Sequence, residues 1–266
     1  MQKGDTLFFG LQKVFPLVFC RREGYITLMK KEKYFMKEQY DTIILGATFY
    51  GCGLASKKKD CLLLEHSIHP GSDFIYSSIP GLTPLKAPLF PESRKLQDDL
   101  ISAKAITENG IQMAALAPFF AKWCIAGKLE ILFSAAPVKV EKNSITVMTV
   151  AGKKRFSFNT LIDARPVKGE KKFLTGFALV PEGVSPGKYG EITYHKCEPL
   201  SRMALSMELP GGSSWSQARK CFYEAWKKRP DFLAEGKLLW TASSFLYPQF
   251  GNYLEALEAG LKGGAE

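Results

Sequence analysis

The residues whose types and spacing point to chemistry are Gly46-Ala-Thr-Phe-Tyr-Gly51-Cys-Gly53 and one acid, Glu65. The pattern suits a backbone loop shaped around phosphate. Gly46 permits a tight turn and Gly51 lets a helix pack closely on a strand. The start of that helix turns its amides and the positive end of its dipole toward pyrophosphate. Glu65 follows Gly46 by 19 residues, at the expected end of the next strand. A carboxylate there accepts hydrogen bonds from both hydroxyls of a ribose. Together these residues predict a dinucleotide site. A βαβ unit with glycine turns and a surface glutamate is the blander reading.

The elements that must position them read as follows. Asp41-Thr-Ile-Ile-Leu45 is an apolar, β-branched run of the kind buried in a parallel sheet. A short helix is expected over Tyr50 to Ser56, a polar turn over Lys57 to Asp60, and a second buried strand over Cys61 to Glu65, giving a right-handed βαβ unit. His66 to Pro91 is rich in Pro, Gly and Ser and reads as loop. Ser93 to Asn109 and Gln112 to Ala126 read as helices, the second kinked at Pro118 and stopped by Gly127. Its Met113, Leu116, Phe120 and Trp123 stripe reads as core packing.

Leu129 to Phe133 is a strand. Val138 to Lys142, Ser144 to Val150 and Lys154 to Phe158 alternate apolar and polar residues as a three-stranded meander. Thr160 to Ala164 reads as a separate strand returning to the main sheet. Phe177 to Val180, Glu191 to His195 and Arg202 to Leu209 look antiparallel, and Trp215 to Lys228 looks like an amphipathic helix. Leu238 to Ala242 is strand-like, Ser243 to Phe250 is loop and Asn252 to Lys262 is a terminal helix. The expectation is an α/β fold: an N-terminal extension over 1–37, a nucleotide-binding core from 38–172 and 238–266, and a small antiparallel α+β substrate or cap domain over 173–237.

Bulk properties exclude several classes. The 266 residues are 46% hydrophobic, enough for a sizeable core and unlike a disordered chain. The net charge is +10, but the basic residues fall singly or in short runs of two or three, as at Lys57-Lys58-Lys59, and no basic stripe is interleaved with aromatics. That disfavours nucleic acid and suits solubility or an anionic ligand. The six cysteines contain no Cys-x-x-Cys pair, which argues against a disulfide framework or a zinc ribbon. Thr6 to Cys20 is apolar, but Lys13 and Pro16 interrupt it and it is too short to span a bilayer. The reading is a soluble, cytoplasmic protein without stable membrane insertion; weak membrane association of the N-terminus is the alternative.

From Met36 onward the chain resembles the two-domain FAD-dependent oxidoreductases. The residues that carry the resemblance are Asp41 to Gly51, then Glu65-His66 and Pro70-Gly71-Ser72, the meander over Val138 to Phe158, Asp163-Ala164, and the terminal helix after Gly251. In such proteins a three-stranded meander interrupts a Rossmann-type parallel sheet, and a terminal helix points its N-terminus toward the flavin. The resemblance implies FAD as cofactor, an unidentified small molecule as substrate, and redox chemistry supplied by the flavin. The cofactor-binding set it implies is Gly46, Ala47, Thr48, Tyr50, Gly51, Glu65, His66, Gly71, Ser72, Val138, Asp163, Ala164, Gly251 and Asn252, with no metal.

Three departures bear on that implication. Thr48 stands at the middle glycine of the fingerprint, where a Cβ obstructs the approach to pyrophosphate although its hydroxyl could donate instead. Arg165-Pro166 replaces a Thr-Gly turn, and the acidic Gly-Asp before the last helix is absent. Three readings stay open: a working FAD enzyme, a degenerate flavoprotein-fold protein acting as a non-catalytic binding or interaction module, and an NAD-binding Rossmann protein.

Other candidates read more simply. His195 could serve as an acid or base, but a satisfied histidine is the commoner case. Cys52 sits where a thiolate would be favoured, yet reads as a small packing residue. His66 and His69 lack further ligands for zinc. Arg202 could hold an acidic substrate, or simply be solvated. No catalytic residue is named.

Overall fold

Strand pairing begins at the segment that carries the glycine loop. The computed structural model describes residues 36–107, 110–198 and 202–265, so the expected N-terminal extension lies, but for its last two residues, outside them. The elements run β1 (Gln39–Leu45), α1 (Phe49–Ala55), β2 (Cys61–Leu64), α2 (Ser72–Ile75), α3 (Pro91–Ser102), β3 (Ile106–Thr107), β4 (Gly110–Ile111), α4 (Met113–Ala126), β5 (Glu130–Leu132), β6 (Ala136–Glu141), β7 (Ser144–Thr149) and β8 (Gly152–Asp163). They continue as β9 (Lys171–Leu179), β10 (Gly187–Tyr189), β11 (Ile192–Glu198), β12 (Arg202–Pro210), α5 (Trp215–Lys227), β13 (Lys237–Thr241) and α6 (Tyr253–Gly263).

The fold is α/β. The first sheet has the order β5-β2-β1-β8-β7-β6. Its first four strands are parallel, and β8, β7 and β6 form an antiparallel meander. The parallel strands are apolar runs because both their faces are covered: Ile43, Ile44, Leu62 and Leu63 are fully buried. The second sheet is antiparallel in the order β10-β11-β12-β9-β13. Leu174, Tyr194 and Leu205 pack with Phe222 and Trp226 of α5 in one core. Phe177 and Ala204 instead join the core of the parallel sheet, with Leu246 and Tyr253.

The ends of the described chain meet in the parallel half. Helix α1 is buried at Phe49, Cys52, Leu54 and Ala55, as expected of a helix covered on more than one side. One cover is α6, and glycines allow the approach. A Cβ on Gly53 would lie 2.5 Å from the Leu257 carbonyl oxygen, and one on Gly260 would lie 2.1 Å from that of Tyr50.

Several expectations need correction. The helix expected through Asn109 stops at Ser102. Lys104 takes φ 57°, the Ala105 amide donates to the Leu100 carbonyl at 2.8 Å, and the Lys104 amide donates to that of Ile101. This is a left-handed helix stop built without glycine, and the hairpin β3–β4 follows it. Helix α4 ends in the same way at Lys128, with φ 54°; Gly127, the expected stop, is right-handed. The third meander strand and the returning strand are one continuous β8. At Ser157 it passes from antiparallel pairing with β7 to parallel pairing with β1. The region read as loop after β2 holds α2, and β10 was not anticipated. The strand expected at Leu238 to Ala242 is β13, which pairs with β9 in the second sheet.

Candidate functional site

The glycine loop lies at the carboxyl ends of β1 and β8, where open α/β sheets bind ligands. Gly46 has φ 95°, a conformation that favours glycine, and Arg165 packs directly against it. Gly51 is required because a Cβ there would fall 2.2 Å from the Gly46 carbonyl oxygen and 3.1 Å from the Ala164 Cβ. These two roles match those expected of them.

Thr48 caps α1. Its hydroxyl accepts the Gly51 amide at 2.9 Å and donates to the Ala164 carbonyl at 2.9 Å, so both of its functions are spent inside the protein. Ala164 is thereby tied to the loop. Asp163 pairs with Arg165, at 2.8 Å to Nε and 2.5 Å to Nη2, and the guanidinium holds its carboxyl below the usual range.

Glu65 stands at the end of β2, but its side chain is only 1% exposed. Oε2 accepts the Ala47 amide at 2.8 Å. Oε1 accepts the Ser67 amide at 2.8 Å and the Ser72 hydroxyl at 3.3 Å, and lies 3.1 Å from Nδ1 of the exposed His66. The carboxylate that was to meet a ribose is therefore bonded to the loop it flanks.

Gly71, with φ 73°, anchors the turn after β2. Its amide donates to the Ala47 carbonyl at 2.6 Å, and a Cβ on it would strike the rings of Phe49 and Phe120. This places Asp73, which sequence reasoning missed, so that its carboxylate accepts the Phe49 amide at 3.4 Å. Burial pushes the Asp73 carboxyl up to about 7, against the pull of backbone amides at Phe49, Asp73 and Phe74. The only advance signal was an acid within two residues of a glycine in the loop after β2.

The start of α6 is also engaged. The Asn252 side chain accepts the Glu255 amide at 2.9 Å and donates to the Thr83 hydroxyl and Pro84 carbonyl. The Gly251 carbonyl accepts the Leu82 and Thr83 amides, at 2.7 and 3.1 Å. Tyr50 lies with its ring 5.4 Å from that of Phe250. Val138 is not brought to the loop: it is exposed on the edge strand β6, separated from β1 by β7 and β8.

Among the other candidates, His195 Nε2 lies 2.7 Å from the Ser206 hydroxyl, and burial lowers its pKa. Cys52 is fully buried with its sulfur 3.9 Å from that of Cys124, and burial raises its thiol, the reverse of an activated thiolate. Among the described residues no cluster of His, Cys, Asp or Glu is arranged for a metal, and no helix is long and apolar enough to cross a membrane.

The cleft bounded by Thr48, Asp73, Ala164, Pro166, Tyr247 and Phe250 encloses about 10 Å³, the room of roughly one water. With Glu65 covered and the Ala47 and Phe49 amides taken by the protein's own carboxylates, the residues as arranged do not fit FAD.

No protein-family model and no curated protein matches the chain. Solved structures do. A flavoprotein/dehydrogenase from Cytophaga hutchinsonii is 12% identical with a TM-score of 0.52, over 85% of this chain and 77% of that one. BexE, studied for oxidation during BE-7585A biosynthesis, is 12% identical with a TM-score of 0.55, over 85% and 60%. The anhydrotetracycline hydroxylase OxyS from Streptomyces rimosus is 13% identical with a TM-score of 0.52, over 85% and 62%. The chain thus spans less than two thirds of the latter two. At these identities the likeness is one of fold: this is a flavoprotein fold.

Proposed function

We propose that the chain is a flavoprotein-fold protein whose dinucleotide groove is closed by its own side chains, and that it works as a non-catalytic binding or interaction module. One observation carries this reading. The Glu65 carboxylate is 1% exposed and accepts the Ala47 and Ser67 amides, leaving it no free face toward a ribose.

A second reading, FAD-dependent oxidation or reduction of a small molecule, is favoured by the parts that keep their places: the Gly46 turn, Gly51, and an acid at the end of β2. It requires the turn over 66–75 to leave the groove before the cofactor can enter.

The two readings part on a spectrum and a melt. The closed-groove reading expects a colourless protein on purification and no change in melting on adding FAD. Flavin at near-equimolar ratio would overturn it, as would stabilisation of about 2.7 kcal/mol at a ligand concentration one hundred times Kd.

A further inference from the structure

The meander carries a surface remote in kind from the closed groove. Its inner side is core: Ile145, Val147, Phe156 and Phe158 are buried. Val138 on β6, Met148 on β7 and Val150 in the turn before β8 are instead exposed, Val150 at 81%. Register joins them to basic residues. Met148 stands opposite Ala136 on β6 and Lys153 on β8, and Thr146 stands opposite Lys139 and Arg155. Side chains alternate along paired strands, so these rows set apolar and basic groups on one side of a ribbon about 10 Å across.

The charge there is one-sided. Between Ala136 and Phe158 stand Lys139, Lys142, Lys153, Lys154 and Arg155 against a single acid, Glu141, a surplus of four in a chain whose net charge is +10. Glu141 is already engaged by Lys139 and Arg155, each at 2.6 Å. None of the ion pairs among the described residues includes Lys142, Lys153 or Lys154. Strand addition by a second copy is disfavoured at this edge. Pro137 withholds a donor, and the register shifts between Pro137 and Lys139.

We propose that the outer side of the meander docks on an anionic lipid surface. Lys153 and Lys154 meet the headgroup phosphates, and Val150 with Met148 enters the boundary between headgroups and acyl chains. Charges within one Debye length, about 10 Å at ~0.1 M salt, act on such a surface together. Nucleic acid fits less well: its single-stranded sites pair basic groups with rings that stack on bases, whereas the exposed apolar residues here are aliphatic. The attachment is peripheral and does not depend on what the dinucleotide groove holds.

The test is co-sedimentation of the full chain with vesicles of phosphatidylcholine alone and of phosphatidylcholine with phosphatidylglycerol in equal parts. The protein should partition onto the anionic vesicles, not onto the neutral ones, and should be released as salt rises toward about 1 M. Lys153→Glu combined with Lys154→Glu should weaken partition by about tenfold or more. Val150→Asp should weaken it by roughly tenfold without changing the charge of any lysine. Lys227→Glu combined with Lys228→Glu, an exposed basic pair on α5, is the control and should weaken it far less. If Val150→Asp fails to fold, the lysine pairs decide alone. Failure of the wild type to bind anionic vesicles overturns the proposal. So does binding that survives the meander variants, which would place the contact elsewhere on the chain, or an equal loss in the α5 control. Binding to single-stranded DNA that falls with the Lys153 and Lys154 changes, with no vesicle binding, assigns the surface to nucleic acid instead.

Discussion

Glu65 Oε2 accepts the backbone amide of Ala47 at 2.8 Å, so the acid at the end of β2 is a structural brace for the glycine loop that follows β1. Its other oxygen fastens the start of the next turn through the Ser67 amide. Glu65→Ala would leave both amides without their acceptor. The expected cost is about 1–3 kcal/mol for each orphaned group that stays buried. Urea unfolding measures it. A loss below a few tenths of a kcal/mol would show that the carboxylate is dispensable to the fold and free for another use.

The packing of α1 on α6 makes a contrast within one helix. Gly260→Ala places a Cβ 2.1 Å from the Tyr50 carbonyl oxygen, which only separation of the helices can relieve. Overpacking of this kind costs about 1–3 kcal/mol, occasionally more. Gly263→Ala meets the Leu54 Cδ2 at 3.4 Å and the Tyr50 hydroxyl at 4.0 Å, both ordinary contacts, so helix propensity should make it neutral or stabilising by up to about 1 kcal/mol. Thermal melts of the two variants should therefore move apart. Equal losses would mean that the glycine contact is not what sets the helix spacing.

Asp73 gives the fold a pH dependence of definite sign. Its carboxyl titrates near 3.8 when free and at about 7 in the folded protein, raised chiefly by burial. The folded state therefore holds the proton more tightly. The favourable contribution is complete below about pH 4 and is lost as pH rises through 7. Asp73→Asn abolishes the titration, so its melting temperature should gain on that of the wild type between about pH 4 and 7 and the difference should level off above that. Parallel curves across that range would place the ionised carboxylate in a well-solvated setting.

Much of this was legible in the sequence because it is local. The run from Asp41 through Gly46 and Gly51 to Glu65 specifies strand, turn, helix and strand within a span of neighbours, and the structure has them in that order. The helix stops were misplaced because Lys104 and Lys128 adopt the left-handed conformation without the glycine that usually announces it. The break expected near Asn159 does not exist. Its amide donates to Asp41 on the neighbouring strand at 2.9 Å, so a polar residue inside β8 serves the sheet instead of ending the strand.

The use to which Glu65 is put was hidden for another reason. Its position in the chain was correct, but its solvent exposure depends on Ser67, Ser72 and Gly71 folding back over the loop. Patterning along the chain does not report such a return. Asp73 was missed on the same grounds, since its meaning arises only when a turn after β2 is laid against the first residue of α1.

The interlock of Gly53 with Gly260 also has a consequence for synthesis. The two residues stand 207 positions apart, and at about 5–20 residues per second a ribosome takes roughly 10–40 s to traverse that interval. Throughout it the apolar side of α1 lacks the cover that α6 gives it in the folded protein. The nascent protein must carry that face uncovered, or sheltered by a chaperone, until α6 is made.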